Sequence, residues 1–143
     1  MLAANQYPQP YIDACRAQVK TQLATYDKLI AAAKKPGTKD TFDGARAAFE
    51  PNFCNGLVLV LDMYFCHRTR AMEGKDGNPC NEVRVLSNSI MTNGGIMLAD
   101  KTIKMQPESS VLKYEPGDAV QVSKADFARL AEAYFAEIER RFT

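Results

Sequence analysis

Between Asp62 and Glu82 lies the chain's concentrated polar chemistry: Asp62, Cys66, His67, Arg68, Arg70, Glu73, Lys75, Asp76, Asn78 and Glu82. Asp62 stands out because it sits between Leu61 and Met63 inside the apolar run GLVLVLDMYFC. A carboxylate is costly to bury without a partner. Two readings follow. Desolvation would raise its pKa and fit it for general acid or base work; pairing with a nearby arginine would instead make it a packing device. His67 is the only histidine. It could act as a base, a proton shuttle or a ligand, or simply sit near a helix C-terminus, where its charged form is favoured. If the segment were one continuous helix, Asp62, Cys66, Arg70 and Glu73 would share a face, at spacings of four, four and three. Asn55, seven residues before Asp62, would join them. His67 would lie about 100° around from Cys66. Adjacent side chains on a helix diverge, so Cys66 and His67 form no nucleophile–base dyad.

The Lys75-Asp76-Gly77-Asn78 turn precedes a helix start. It could present backbone N–H groups to an anion, with Arg68, Arg70 and Lys75 supplying charge, or it could be an ordinary interhelical turn. The candidate ligand-binding residues are therefore Asp62, His67, Arg70, Glu73, Lys75 and Asn78, with a small anion as the candidate ligand. No catalytic residue is assigned. The set Asp62, Cys66, His67 and Glu73 has no recognised metal-ligand spacing, so no metal is expected. Gly94-Gly95 lacks the spacing of a phosphate-binding fingerprint, and no cofactor is expected.

The elements that must position these residues are mostly helical. Ile12, Cys15, Val19, Leu23, Tyr26 and Ile30 recur every three or four residues behind Pro8 and Pro10, which predicts a first helix of about 24 residues ended by Pro36-Gly37. A short helix is expected over 41–49. Pro51 permits a new helix start but not a smooth continuation, and a central, mostly buried helix is expected over 51–73, with Gly74 as its terminating glycine. Asn78 and Pro79 open the next helix, with Glu82 in its first turn, a stripe of Val83, Leu86 and Ile90, and Asn93-Gly94-Gly95 as its stop. Thr102–Met105 and Ala119–Val122 alternate enough to suggest two short strands. Ser123 and Asp126 form a capping pattern ahead of a last helix striped by Phe127, Leu130, Tyr134, Ile138 and Phe142. The expected fold is mainly α: a single compact domain, 1–143, of four or five helices, with a small two-stranded antiparallel β-ribbon before the last helix.

Bulk properties exclude several classes. The 143 residues carry 18 Lys and Arg against 17 Asp and Glu, a net charge of +1, without the basic excess of a phosphate-tracking protein. Nucleic-acid binding is not expected. The first residues, MLAANQYPQPY, lack the basic and apolar regions of a secretory signal. The longest apolar run is too short for a membrane span, which needs about 20 residues. A cytoplasmic location is expected. Cys15, Cys54, Cys66 and Cys80 read mainly as buried reduced thiols. Helices this apolar suggest burial between two copies, with a homodimer as the simplest form.

The segments LVLVLDMYFCHRTRAMEGKDGNPCNEVR and ADFARLAEAYFAEIERRF resemble a family of small bacterial proteins of unknown function, over roughly residues 46 to 142. The resemblance implies a bacterial cytoplasmic single domain and transfers no functional residue. Two functions are thus expected: a non-catalytic helical binding or structural module that self-associates, or alternatively a small enzyme or small-ligand or anion-binding protein using the polar face of the central helix and the turn after it.

Overall fold

In the computed structural model, residues 3–34 and 39–143 are described. They form five helices in chain order: α1 (Gln9–Ala33), α2 (Lys39–Tyr64), α3 (Arg70–Glu73), α4 (Pro79–Thr92) and α5 (Lys124–Phe142). The expected Pro36-Gly37 stop lies outside the described residues.

α5 organises the packing, meeting α1, α2, α3 and α4. Its start is fixed by Ser123, whose Oγ accepts the Asp126 N–H at 3.1 Å, satisfying one of the free N–H groups at a helix start. Phe127, Leu130, Tyr134, Phe135, Ile138 and Phe142 are all buried. They face Ile12, Cys15 and Val19 of α1, Leu57, Val58 and Leu61 of α2, and Val83 and Leu86 of α4 in one continuous core. Phe65 is the aromatic pivot. Tyr7, Tyr11, Tyr134 and Phe135 approach it edge-on, with ring centroids between 4.8 and 6.1 Å away, the arrangement aromatic quadrupoles prefer.

Three expectations are corrected. α2 runs through Pro51 without a break, so the short helix over 41–49 and the start of the central helix are one element. Pro51 gives up its own N–H bond and crowds the turn before it, and packing of the following turns on α4 and α5 offsets that cost. The central helix also stops nine residues early, at Tyr64 instead of Glu73. The backbone beyond it is claimed elsewhere: Ala4 donates to the His67 carbonyl at 2.6 Å and accepts from the Thr69 N–H at 2.9 Å. A new short helix, α3, then begins at Arg70.

The third correction concerns the β-ribbon, which does not form among the described residues. The Val120 N–H donates to the Gly95 carbonyl at 2.7 Å, and one side chain holds the Val120 carbonyl and the Val122 N–H. Asn55 donates from Nδ2 to the Val120 carbonyl at 2.8 Å and accepts the Val122 N–H at 3.1 Å. That carboxamide does for 120–122 what a neighbouring strand would do. Thr102 and Ile103 give their N–H groups to the Asp100 carboxylate, each at 2.8 Å, a turn and not a strand. The antiparallel contact that exists is a single bridge, Ile96 with Ala119.

Candidate functional site: a buried ionic junction and an uncharged face

α2 ends at Tyr64 and α4 begins at Pro79, and the intervening chain doubles back through α3. This reversal brings Arg68 into the interior, where its side chain is fully buried. A buried guanidinium must have every donor answered. Nη1 donates to the Phe65 carbonyl at 3.0 Å and the Tyr134 hydroxyl at 3.1 Å. Nη2 donates to Asp62 Oδ1 at 2.8 Å and the Cys80 carbonyl at 3.3 Å. Nε forms an ion pair with Glu73 Oε2 at 3.2 Å, but its N–H is not aligned for a hydrogen bond.

Glu73 is equally buried and is shared between two arginines. Its Oε1 accepts from Arg84 Nε at 3.0 Å and from Asn81 Nδ2 at 3.1 Å, and its Oε2 from Arg84 Nη2. Asp62, Arg68, Glu73 and Arg84 thus form a chain of two carboxylates and two guanidiniums with no net charge. Burial pushes the Glu73 carboxyl upward, but the Arg84 hydrogen bonds and the two guanidinium charges outweigh it and hold it below its ordinary value. Burial likewise opposes the charge on Arg68, and the Asp62 and Glu73 carboxylates overcome that. Tyr134 stays a neutral phenol, raised far above its ordinary value by burial.

The six candidate residues therefore divide. Asp62 and Glu73 are joined through Arg68, and for Asp62 the arginine-paired reading is the one the geometry gives. Asn78 stands next to this junction as the cap of α4. Its Oδ1 accepts the N–H groups of Cys80 and Asn81, at 2.9 and 3.3 Å, while its Nδ2 donates to the Glu73 carbonyl at 2.7 Å. His67, Arg70 and Lys75 have exposed side chains outside the junction. The shared face of Asp62, Cys66, Arg70 and Glu73 does not exist, because the helix that would align them ends at Tyr64. Cys66 is exposed, unlike the other three cysteines. Burial raises the Cys54 thiol to about 11 and the Cys80 thiol to about 12, so both stay protonated and unreactive.

The turn before α4 spends its donors internally. The Gly77 N–H goes to Asn81 Oδ1 at 3.0 Å and the Asn78 N–H to Asp76 Oδ1 at 3.3 Å. Gly77 itself has φ +85°, and a Cβ there would stand 2.5 Å from the Lys104 carbonyl oxygen, so no other residue fits. These N–H groups are already engaged by side chains of the turn, the opposite of an open anion cradle. Among the described residues no three His, Cys, Asp or Glu side chains are grouped as metal ligands.

Sequence reasoning missed the partners: Arg68 as the centre, and Arg84, Asn81 and Tyr134 around it. It also undervalued Glu82. Placed in the first turn of α4 to complement the helix dipole, it is 2% exposed and accepts the N–H groups of Val111 and Leu112 at 2.8 and 2.9 Å, tying the 106–114 loop to α4. Its carboxyl is raised by burial, only partly offset by those two bonds.

A second region has the opposite character. From Gly44 to Met63, every exposed residue of α2 is uncharged. The charged residues in that span are all partly buried and paired: Arg46 with Glu50, and Asp62 with Arg68. Glu50 also accepts the Tyr26 hydroxyl at 2.8 Å. Phe49 is 53% exposed, Val60 40% and Met63 67%. Phe49 stacks on Phe53, and Phe53 on Tyr26 of α1, at 5.5 and 5.3 Å between centroids. On the other flank, an open groove of about 600 Å³ runs between α2 and the segments Gly94–Ile96 and Ala119–Gln121.

Fold and site together define an all-helical domain pinned by a buried, internally neutralised ionic junction, with an apolar helix face left open. No protein-family model, curated protein or solved structure matches the chain. No described helix is long and apolar enough to cross a membrane.

Proposed function

We propose that the protein is a non-catalytic helical binding or structural module that self-associates, as a homodimer in the simplest case. One observation carries this reading: from Gly44 to Met63, α2 buries one apolar face in the chain and exposes only uncharged residues, large apolar ones among them, on the opposite face. Exposed large apolar side chains gathered on one helix face mark a surface that another chain can cover. Cys54, Leu57, Val58 and Leu61 are buried inside this chain; Phe49, Val60 and Met63 are not. The catalytic alternative loses its reagents, since Asp62 and Glu73 are committed to Arg68 and Arg84, while His67, Arg70 and Lys75 stand exposed and apart. The bacterial cytoplasmic setting implied by the sequence resemblance belongs to the same proposal.

Sedimentation across the micromolar range tests it. The expected result is a concentration-dependent species of twice the chain mass. A monomer at every concentration would overturn the reading.

A further inference from the structure

We infer that the partner on the outer face of α2 is a second copy of this chain, its α2 lying antiparallel to the first about a two-fold axis between Asn52 and Gly56. This rests on the self-association proposed above and says where and in what register it occurs.

The register is read from α2 itself. Phe42, Phe49, Gly56 and Met63 recur every seven residues, and Ala45, Asn52 and Leu59 recur every seven, offset by three. This is the spacing of a two-helix seam, and it lies roughly opposite the buried face of Cys54, Leu57 and Leu61. In a parallel pair, like would meet like: Phe49 on Phe49, and Gly56 on Gly56, a crowded layer and then a void. Running the second helix antiparallel about the 52–56 axis sets Ala45 against Met63 of the second copy, Phe49 against its Leu59, and Asn52 against its Gly56. Two of those three layers put a small residue against a larger one, the fit that close packing rewards, and the opposed helix dipoles are favourable.

Charge argues for a second copy over a foreign partner. A two-fold axis brings each side chain near it close to its counterpart in the second copy, beside the residue it packs against. Any unpaired charge there would face its own sign. The exposed residues from Gly44 to Met63 carry none, which suits self-pairing and offers nothing to a nucleic acid or an anionic surface. Area is also sufficient. The seam from Ala45 to Met63 is about 27 Å long at 1.5 Å per residue. With α1 flanking it on one side and the paired segments 94–96 and 119–121 on the other, three elements of about 10 Å make a face near the ~800 Å² per partner of a standard interface.

Disulfide trapping tests the register. Ala45→Cys and Met63→Cys are introduced together and singly, with Cys66→Ser to remove the exposed thiol. Within one chain the two positions are about 27 Å apart on one helix, whereas a disulfide needs Cα atoms within about 7 Å. Under mild oxidation the double variant is expected to become a covalent dimer and each single variant to stay a single chain. In parallel, Phe49→Glu, with helix content checked by circular dichroism, is expected to weaken the dimer by about 30-fold or more. A wild-type chain that dimerises while the double variant fails to cross-link, or single variants that cross-link as readily as the double, would overturn this register and leave self-association standing. A wild-type monomer would overturn both.

Discussion

Around Arg68, two fully buried charges and two partly exposed ones answer each other; along the outer face of α2 from Gly44 to Met63, the exposed side chains carry no charge, and the described residues leave Phe49, Val60 and Met63 exposed. The junction fixes a chain reversal: Asp62 on α2, Glu73 on α3, Arg84 on α4 and Tyr134 on α5 all meet there. Its residue types are those of an active site, but its charges are paired with each other and most of its donors are taken up by neighbouring carboxylates and carbonyls. The α2 face has no residue types that suggest chemistry, yet it is where large apolar side chains stay exposed. A concentration of reactive side chains can therefore mark where a fold is held, and under the proposed function a chemically silent helix face is where it is used.

Substitutions can break that comparison, beginning with the largest effect. Arg68→Ala leaves Asp62 and Glu73 without their shared partner in a buried site, and is expected to cost about 3–5 kcal/mol in urea unfolding. A loss below about 1 kcal/mol, the scale of a surface pair, would mean that the junction does not hold the reversal. Asn55→Ala comes next. It strands the Val120 carbonyl and the Val122 N–H, for about 1–3 kcal/mol, and should speed hydrogen exchange at the Val122 amide before it affects the α5 amides.

The two buried glutamates sharpen the comparison through pH. The Glu73 carboxyl is lowered in the folded state. Its contribution is present above its unfolded value near 4.5 and is lost as pH falls through the folded value. The Glu82 carboxyl is raised, so its contribution has the opposite sign, full below the unfolded value and lost as pH rises through the folded one. Relative to Glu73→Gln, wild-type stability should fall on acidification; relative to Glu82→Gln, it should rise. Slopes of the same sign would contradict the contrast between a carboxylate paired with arginines and one held by two backbone N–H groups.

The smallest effect on stability belongs to the other region. Met63→Lys, at a 67% exposed position, should change the stability of the dilute monomer by no more than about 0.5 kcal/mol. It should still weaken self-association. A large loss of monomer stability would show that the face is already packed within one chain.

How much of this was legible beforehand follows from the range of the interactions. α1, α4 and α5 could be read because caps and stripes are local: Asn78, Ser123 and the Phe127–Phe142 stripe act within a few residues. Asp62 and Glu73 could be singled out by type. Arg68 could not be identified as their link, because on a continuous helix it lies far around from Asp62, and the two meet only after the chain turns at Tyr64. That turn depends on Ala4, more than sixty residues away in sequence. Pro51 misled for a similar reason, since the local rule against proline in a helix was outweighed by packing on α4 and α5. The missing ribbon was equally hidden. Nothing near Val120 shows that Asn55 takes a strand's place.

The central claim is that the open face of α2 is completed by a second copy. Sedimentation equilibrium of the wild-type chain beside Phe49→Glu tests it most directly. The account predicts a reversible dimer for the wild type and a folded monomer for Phe49→Glu at the same concentration; a wild-type chain that stays monomeric, or a Phe49→Glu chain that dimerises as tightly as the wild type, would contradict it.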